Sequence, residues 1–224
     1  MRLRPVFLVV ALAALHALPA LGQGGTIDEG TFLVTRKGTP DQTESFRIAR
    51  LDNKLIQATA QLSGDERISS SLMADSLGTP IAYQYFHKNR GVTEFEVRAL
   101  AGGKRLSLKA SDNRSNESMR DFPISPGRCV ILDDEFVHQF YFVALTARTG
   151  VLQIIVPHHA RRESAFLSGR GFEPVKVAGR SITATHFSLV TGSMAREFWI
   201  DAAGRVLKVE IPTLGLIAVR EDLP

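Results

Sequence analysis

The stretch Glu94-Phe95-Glu96-Val97-Arg98-Ala99, followed across Ala101-Gly102-Gly103-Lys104 by Arg105-Leu106-Ser107-Leu108-Lys109-Ala110, decides the fold class. Phe95, Val97 and Ala99 alternate with Glu94, Glu96 and Arg98. Leu106, Leu108 and Ala110 alternate with Arg105, Ser107 and Lys109. Successive side chains of a strand point to opposite faces, so this period of two gives each segment one apolar and one wet face. Two such segments joined by a Gly-rich turn make an antiparallel hairpin with one face on a core and the other in water.

The same pattern extends in both directions. Phe46 and Ile48 sit among Ser45, Arg47 and Ala49, while Ile68, Ser70, Leu72 and Ala74 alternate with Arg67, Ser69, Ser71 and Met73. Turn signals such as Lys37-Gly38-Thr39-Pro40-Asp41, Ser63-Gly64-Asp65, Ala178-Gly179, Thr191-Gly192-Ser193 and Ala203-Gly204 punctuate the chain. Strands are expected near 31–37, 43–50, 54–62, 66–75, 81–88, 92–100 and 104–110. A second series is expected near 150–157, 163–177 (broken), 180–190, 194–201, 205–211 and 215–220. About a dozen strands with one apolar face cannot stay open and flat. The expected fold is mainly β: a single curled antiparallel sheet, a half-barrel or barrel-like meander, forming one domain over 23–224.

One segment breaks the period. In 134–148, Phe136, Phe140 and Ala144 share a helical stripe with Val137, Tyr141 and Leu145. Asp133, Asp134 and Glu135 stand where a helix N-terminus favours negative charge, Arg148 lies at the other end, and Gly150 fits a C-terminal stop. One amphipathic helix near 134–148 is therefore expected, packed on the sheet. The polar stretch 111–128 reads as the connection before it.

The N-terminus reads as a secretory signal. Arg2 and Arg4 precede a 13-residue apolar run from Val6 to Leu18, and Ala20-Leu21-Gly22 supplies small residues for cleavage after Gly22. Thirteen residues fall short of the about 20 that span a bilayer. Residues 1–22 are thus expected to be a cleaved signal peptide, and the protein periplasmic or secreted, with no transmembrane segment in the mature chain. Removal of Arg2 and Arg4 lowers the formal charge from +4 to +2. With no block of like charge, the chain has no nucleic-acid footprint. A hydrophobic content of 44% excludes a disordered polymer, and a single cysteine excludes a disulfide-stapled scaffold. Cys129, ahead of Val130-Ile131-Leu132, reads as a small buried hydrophobe.

Motifs that carry chemistry are few. The sequence holds no GxSxG elbow, phosphate-cradling glycine loop, HExxH or paired CxxC, and no cofactor is implied. His158-His159 is the only histidine cluster; with His186 and Glu163 it frames a conceivable metal-assisted hydrolase, although a solvated loop after Pro157 is the better reading of the pair. No metal ligand set is assigned. The aromatic residues carry more information. Tyr83, Tyr85 and His87 share one strand face, and of Phe198 and Trp199 one must line the interior while the other is exposed, covered or at an interface.

The C-terminal text Arg196-Glu197-Phe198-Trp199-Ile200-Asp201, then Gly204-Arg205-Val206-Leu207-Lys208-Val209, then Ile211-Pro212 and Gly215-Leu216, resembles the ending of an uncharacterised family of bacterial exported proteins, a domain of unknown function. Leu132-Asp133-Asp134 before a central helix resembles the same family. More remotely, the meander with helical cover resembles the half-barrel of the LolA/LolB lipoprotein carriers, which shelter acyl chains. That resemblance is one of architecture; the large apolar face given by the alternation and the scarcity of catalytic motifs point to an exported, non-enzymatic protein binding an apolar small molecule or lipid between sheet and helix, with Tyr83, Tyr85, Phe136, Phe140 and Trp199 as candidate ligand-binding residues. The alternatives are an envelope structural or partner-binding module, whose partner is another envelope protein, and the metal-assisted hydrolase using His158/His159 and His186.

Overall fold

A computed structural model describes residues 25–64, 66–146, 149–192 and 194–223. The signal reading of 1–22 and the role given to Arg148 lie outside the described residues. One run of strands comprises β1 (Thr26–Arg36), β2 (Gln42–Arg50), β3 (Ile56–Leu62), β4 (Glu66–Ala74), β5 (Pro80–Asn89), β6 (Val92–Gly102), β7 (Arg105–Asp112) and β8 (Glu117–Pro123). The second comprises β9 (Cys129–Ile131), β10 (Gly150–Val156), β11 (Arg161–Val177), β12 (Arg180–Thr191), β13 (Met194–Ile200), β14 (Val206–Ile211) and β15 (Leu216–Arg220). The first and last strands, β1 and β15, pair at the centre and join both runs into one 15-stranded sheet with β8 and β9 at its edges.

The order of strands forces the curl. Laid flat, fifteen strands at about 4.8 Å spacing would separate the edges by roughly 67 Å. Yet only Ile124–Arg128 separates β8 from β9, and six Cα steps reach at most about 22 Å. The sheet therefore rolls up. It does not close, since β8 and β9 share no ladder. Instead the β9 end tucks beneath the inner face of β5, and all three β9 residues are buried. The expected curled, mainly β architecture is what forms.

Alternation sets the inner face. Phe46 and Ile48, Ala58 and Ala60, Leu72 and Ala74, Tyr83 and Tyr85, Val97 and Ala99, and Leu106 and Leu108 are all buried in one continuous core. The break anticipated within 163–177 is a β-bulge between Gly169 and Gly171 in an otherwise continuous β11. Two strands escaped the sequence reading. β8 lies within the supposed connection 111–128, and only its Phe122 is buried, so it has no apolar alternation to detect. It exists because β7 supplies its backbone partners. β9 is three residues long, below the length at which any period is visible.

The helix differs more. α1 covers only Phe140–Thr146, and 134–139 is a series of tight turns. It is also not amphipathic: Phe136 through Val143 are buried on every side. An element that is apolar all round belongs inside a core, and this one is a plug filling the hollow of the sheet. Gly150 starts β10 rather than stopping the helix. The plug also explains the parallel pairing of β9 with β10, because a parallel neighbour needs a long crossover. At the end of α1, the β4–β5 turn comes so close that a Cβ on Gly78, at φ +80°, would lie 3.0 Å from the Phe142 carbonyl oxygen.

Phe140 is 1% exposed and its ring lies 5.4 Å from Phe198 of β13. Phe140→Ala is expected to cost about 3–5 kcal/mol, the range for truncating a core phenylalanine, measured by urea denaturation. A loss below about 0.5 kcal/mol, as at a surface site, would mean that the plug is not part of the cooperative core.

Candidate functional site

The plug is seated by polar side chains that the sheet aims inward. Glu44 on β2 occupies the inward parity of Phe46 and Ile48 and is fully buried. Its carboxylate accepts the backbone N–H of Val137 at 2.7 Å and of His138 at 2.8 Å, and pairs with His138 Nδ1 at 2.7 Å. Three donors on one carboxylate hold the turn at 137–138 where a helix would otherwise continue. Gln139 Oε1 then accepts the Asp133 N–H at 2.6 Å, closing the segment on itself.

The acidic triplet does not cap a helix. Asp133 accepts the Tyr83 hydroxyl at 3.3 Å, and Glu135 accepts the Tyr85 hydroxyl at 2.7 Å. Asp134 takes both prongs of Arg196, at 2.6 and 2.8 Å, while Arg196 also donates to Thr191 Oγ1. Arg36 donates to the backbone carbonyls of Asp134 and Glu135. Four strands thus converge on the first turns of the plug. Arg196 is wholly buried, and such a bidentate, desolvated pair fixes geometry closely. A second buried arginine, Arg220, ties β15 to Asp28 at 2.9 Å and to the Glu29 carbonyl.

Burial shapes the titration of these groups. Asp133 is pushed up to about 7, first by desolvation and then by the neighbouring Glu135 and Asp134 charges, with the Tyr83 hydrogen bond opposing. Cys129 is pushed up to about 11 by burial, which leaves its thiol unreactive. His158 is lowered by desolvation, partly offset by Glu135.

Of the five residues expected to bind ligand, Tyr83, Tyr85, Phe136 and Phe140 come together in the interior, each no more than 1% exposed. Tyr85 meets Phe136 edge-on at 6.2 Å. Trp199 does not join them. Phe198 takes the inner face, and Trp199 lies on the outer one in a separate cluster with Val175, Val177, Ala184 and Leu207. The bulge in β11 turns the tip of the β11–β12 hairpin over β14, so that Glu173 accepts the indole N–H at 3.1 Å while His186 stacks on the ring at 4.3 Å.

The histidines conceived as one metal set are apart. His186 has its two ring nitrogens on Glu173 and Glu197, whereas His158 packs against Tyr85 and Phe95 and Glu163 pairs with Arg161. Sequence reading missed Glu44, Arg196, Arg220, His138 and Gln139. The signal was present for three of them: Glu44, Arg196 and Arg220 hold inward positions in otherwise apolar alternations. On the outer face of the curled sheet, β3–β7 form an open trough of about 520 Å³ whose lining includes Met73, Ala82, Leu100, Arg98 and Lys109.

Glu44→Ala would strand three buried donors, each costing about 1–3 kcal/mol when unpaired. A loss of at least about 3 kcal/mol is expected in urea melts, and Glu44→Gln, which keeps one acceptor oxygen, should fall between. For Asp133 the native state holds the proton where the unfolded chain, titrating near 3.9, has released it. Its contribution to stability therefore declines as pH rises from about 4 to about 7. Asp133→Asn should flatten that slope and exceed the wild type in stability at pH 8; parallel profiles for the two proteins would refute it.

No family model matches the chain, and no curated protein matches it significantly. Among solved structures, the chain is similar to a beta-barrel-like protein of the domain of unknown function DUF1849 from Brucella abortus. The TM-score is 0.55 at 9% identity, covering 90% of this chain and 97% of the other. At that identity the likeness is one of fold: a beta-barrel-like architecture shared with a domain of unknown function.

Proposed function

We propose that the protein is an exported, non-enzymatic binding protein that accepts an apolar chain, such as a lipid acyl group, in the hollow where the plug now sits. One observation carries this reading: the hollow holds a segment pinned by polar groups inside a sheet whose edges are not bonded to each other. Glu44, Tyr83, Tyr85 and Arg196 hold the plug by its first turns, while Phe136 and Phe140 fill the space with apolar volume. The plug thus stands where a ligand would, and exchange requires the tethers to release and β8 and β9 to part. Among the described residues no helix is long and apolar enough to cross a membrane; the apolar surface this chain buries lies inside its sheet. Export rests on the Arg2, Arg4 and Val6–Leu18 pattern.

A second location for the same ligand chemistry is the outer trough. Met73 and Leu100 offer an apolar floor, and Arg98 and Lys109 suit an anionic headgroup.

Native mass spectrometry of protein purified from its own envelope is the direct measurement, with co-purified lipid as the expected result. Fluorescent fatty-acid titration separates the locations. Phe140→Ala, which loosens the plug, should strengthen binding in the hollow, whereas Leu100→Asp should abolish binding in the trough. No co-purified lipid and no fatty-acid binding by any of the three proteins would overturn the reading.

A further inference from the structure

Strands β4, β5 and β6 meet at one rim of the curled sheet, and there a second bulge alters the pattern. His87 pairs with Phe95, but the next pair is Lys88 with Thr93. Glu94 is left without a partner on β5. By simple alternation Glu94 belongs on the outer face with Glu96 and Arg98, because Phe95 and Val97 face inward. The extra residue re-aims it, which is what a bulge does to the strand that carries it. Its carboxylate then lies on the side of His87 and Glu66, and ligand atoms of all three residues fall within 4.8 Å of one another.

The charges do not balance. His87 Nε2 pairs with Glu66 at 2.7 Å, and among the described residues no cation pairs with Glu94. Two carboxylates and one imidazole converge, and two like charges at that separation repel unless a cation or a proton lies between them. The strands here supply neighbours of other kinds: Lys88 sits over the Phe86 ring, and Phe95, opposite His87, packs on His158 at 5.0 Å between ring centroids. The Phe95 ring, with the His158 imidazole behind it, thus backs the cluster on one side and limits water there, which strengthens electrostatic attraction to an ion. Glu66 is exposed and the other two are partly so, leaving the outer side open to water.

We propose that Glu66, His87 and Glu94 form a binding site for a divalent transition-metal ion of the zinc class, with water completing the coordination. One nitrogen and two carboxylate oxygens suit such an ion better than magnesium or calcium, which prefer oxygen alone. Ligand atoms about 2.0–2.2 Å from a tetrahedral ion stand roughly 3.4 Å apart, so modest rotations of the two carboxylate side chains, of which Glu66 is exposed and Glu94 half-buried, close the cluster. The site joins three neighbouring strands at the rim and is independent of whether the hollow accepts lipid.

The test is zinc binding by the processed protein, purified without a histidine tag, using equilibrium dialysis and metal analysis, with cobalt substitution for a visible d–d spectrum. One equivalent of zinc is expected, and His87→Ala and Glu94→Gln should each weaken binding by at least about tenfold, since even outer-shell changes cost that much. His186→Gln, on the outer face, should bind as the wild type does. Circular dichroism establishes that each variant is folded; Glu66→Gln replaces any that is not. Absence of stoichiometric zinc in the wild type would overturn the proposal. So would unchanged affinity in Glu94→Gln, because the bulge would then have no part in binding.

Discussion

Five residues between the two outermost strands constrain everything else in this protein. Ile124–Arg128 must carry the chain from one edge of a 15-stranded sheet to the other. No flat arrangement allows it, so the sheet curls until β8 and β9 come within reach. The curl creates an interior, and the interior needs filling at the density of a protein core. The crossover from β9 to β10 provides the filler. Edge link, curl and plug are therefore one solution to a single problem of chain connectivity.

The filler is apolar in bulk and polar in its anchors. Burying Glu44, Arg196 and Asp133 costs desolvation that their partners offset only in part, and apolar replacements of similar volume are often as stable. Their contribution is to register. Phe136, Val137, Phe140 and Tyr141 would pack acceptably after sliding by a turn, but Glu44 accepts N–H groups only from Val137 and His138. Asp134 reaches Arg196 only in the same register.

Two of the sheet's bulges redirect side chains away from simple alternation. The one in β11 lets the hairpin tip turn outward and build a second, small core over Trp199. The one in β6 brings Glu94 to His87 and Glu66. In both cases one extra residue changes which face a side chain occupies, and with it the chemistry available at that face.

The sequence by itself determined the class of fold and most of the strands, because each inward position of a sheet must be apolar and the period of two records that need directly. It also marked Phe140 and Tyr85 as interior and Cys129 as buried. It placed the one helix in the right segment but drew it too long, since α1 is Phe140–Thr146 within the expected 134–148: an apolar stripe at i, i+4 is as consistent with tight turns buried on all sides as with a regular amphipathic helix, and only the enclosing sheet distinguishes them. Asp133–Glu135 resembled a helix cap because local spacing cannot reveal that Tyr83, Tyr85 and Arg196 lie opposite. β8 left no trace, since a strand exposed on both faces needs only a neighbour's backbone. Glu94 was assigned to the wet face by a period that the bulge interrupts. Local periodicity is written residue by residue, whereas the plug and its anchors lie some 50 to 100 positions apart and the rim cluster joins three strands through a bulge; only the folded sheet brings those residues together.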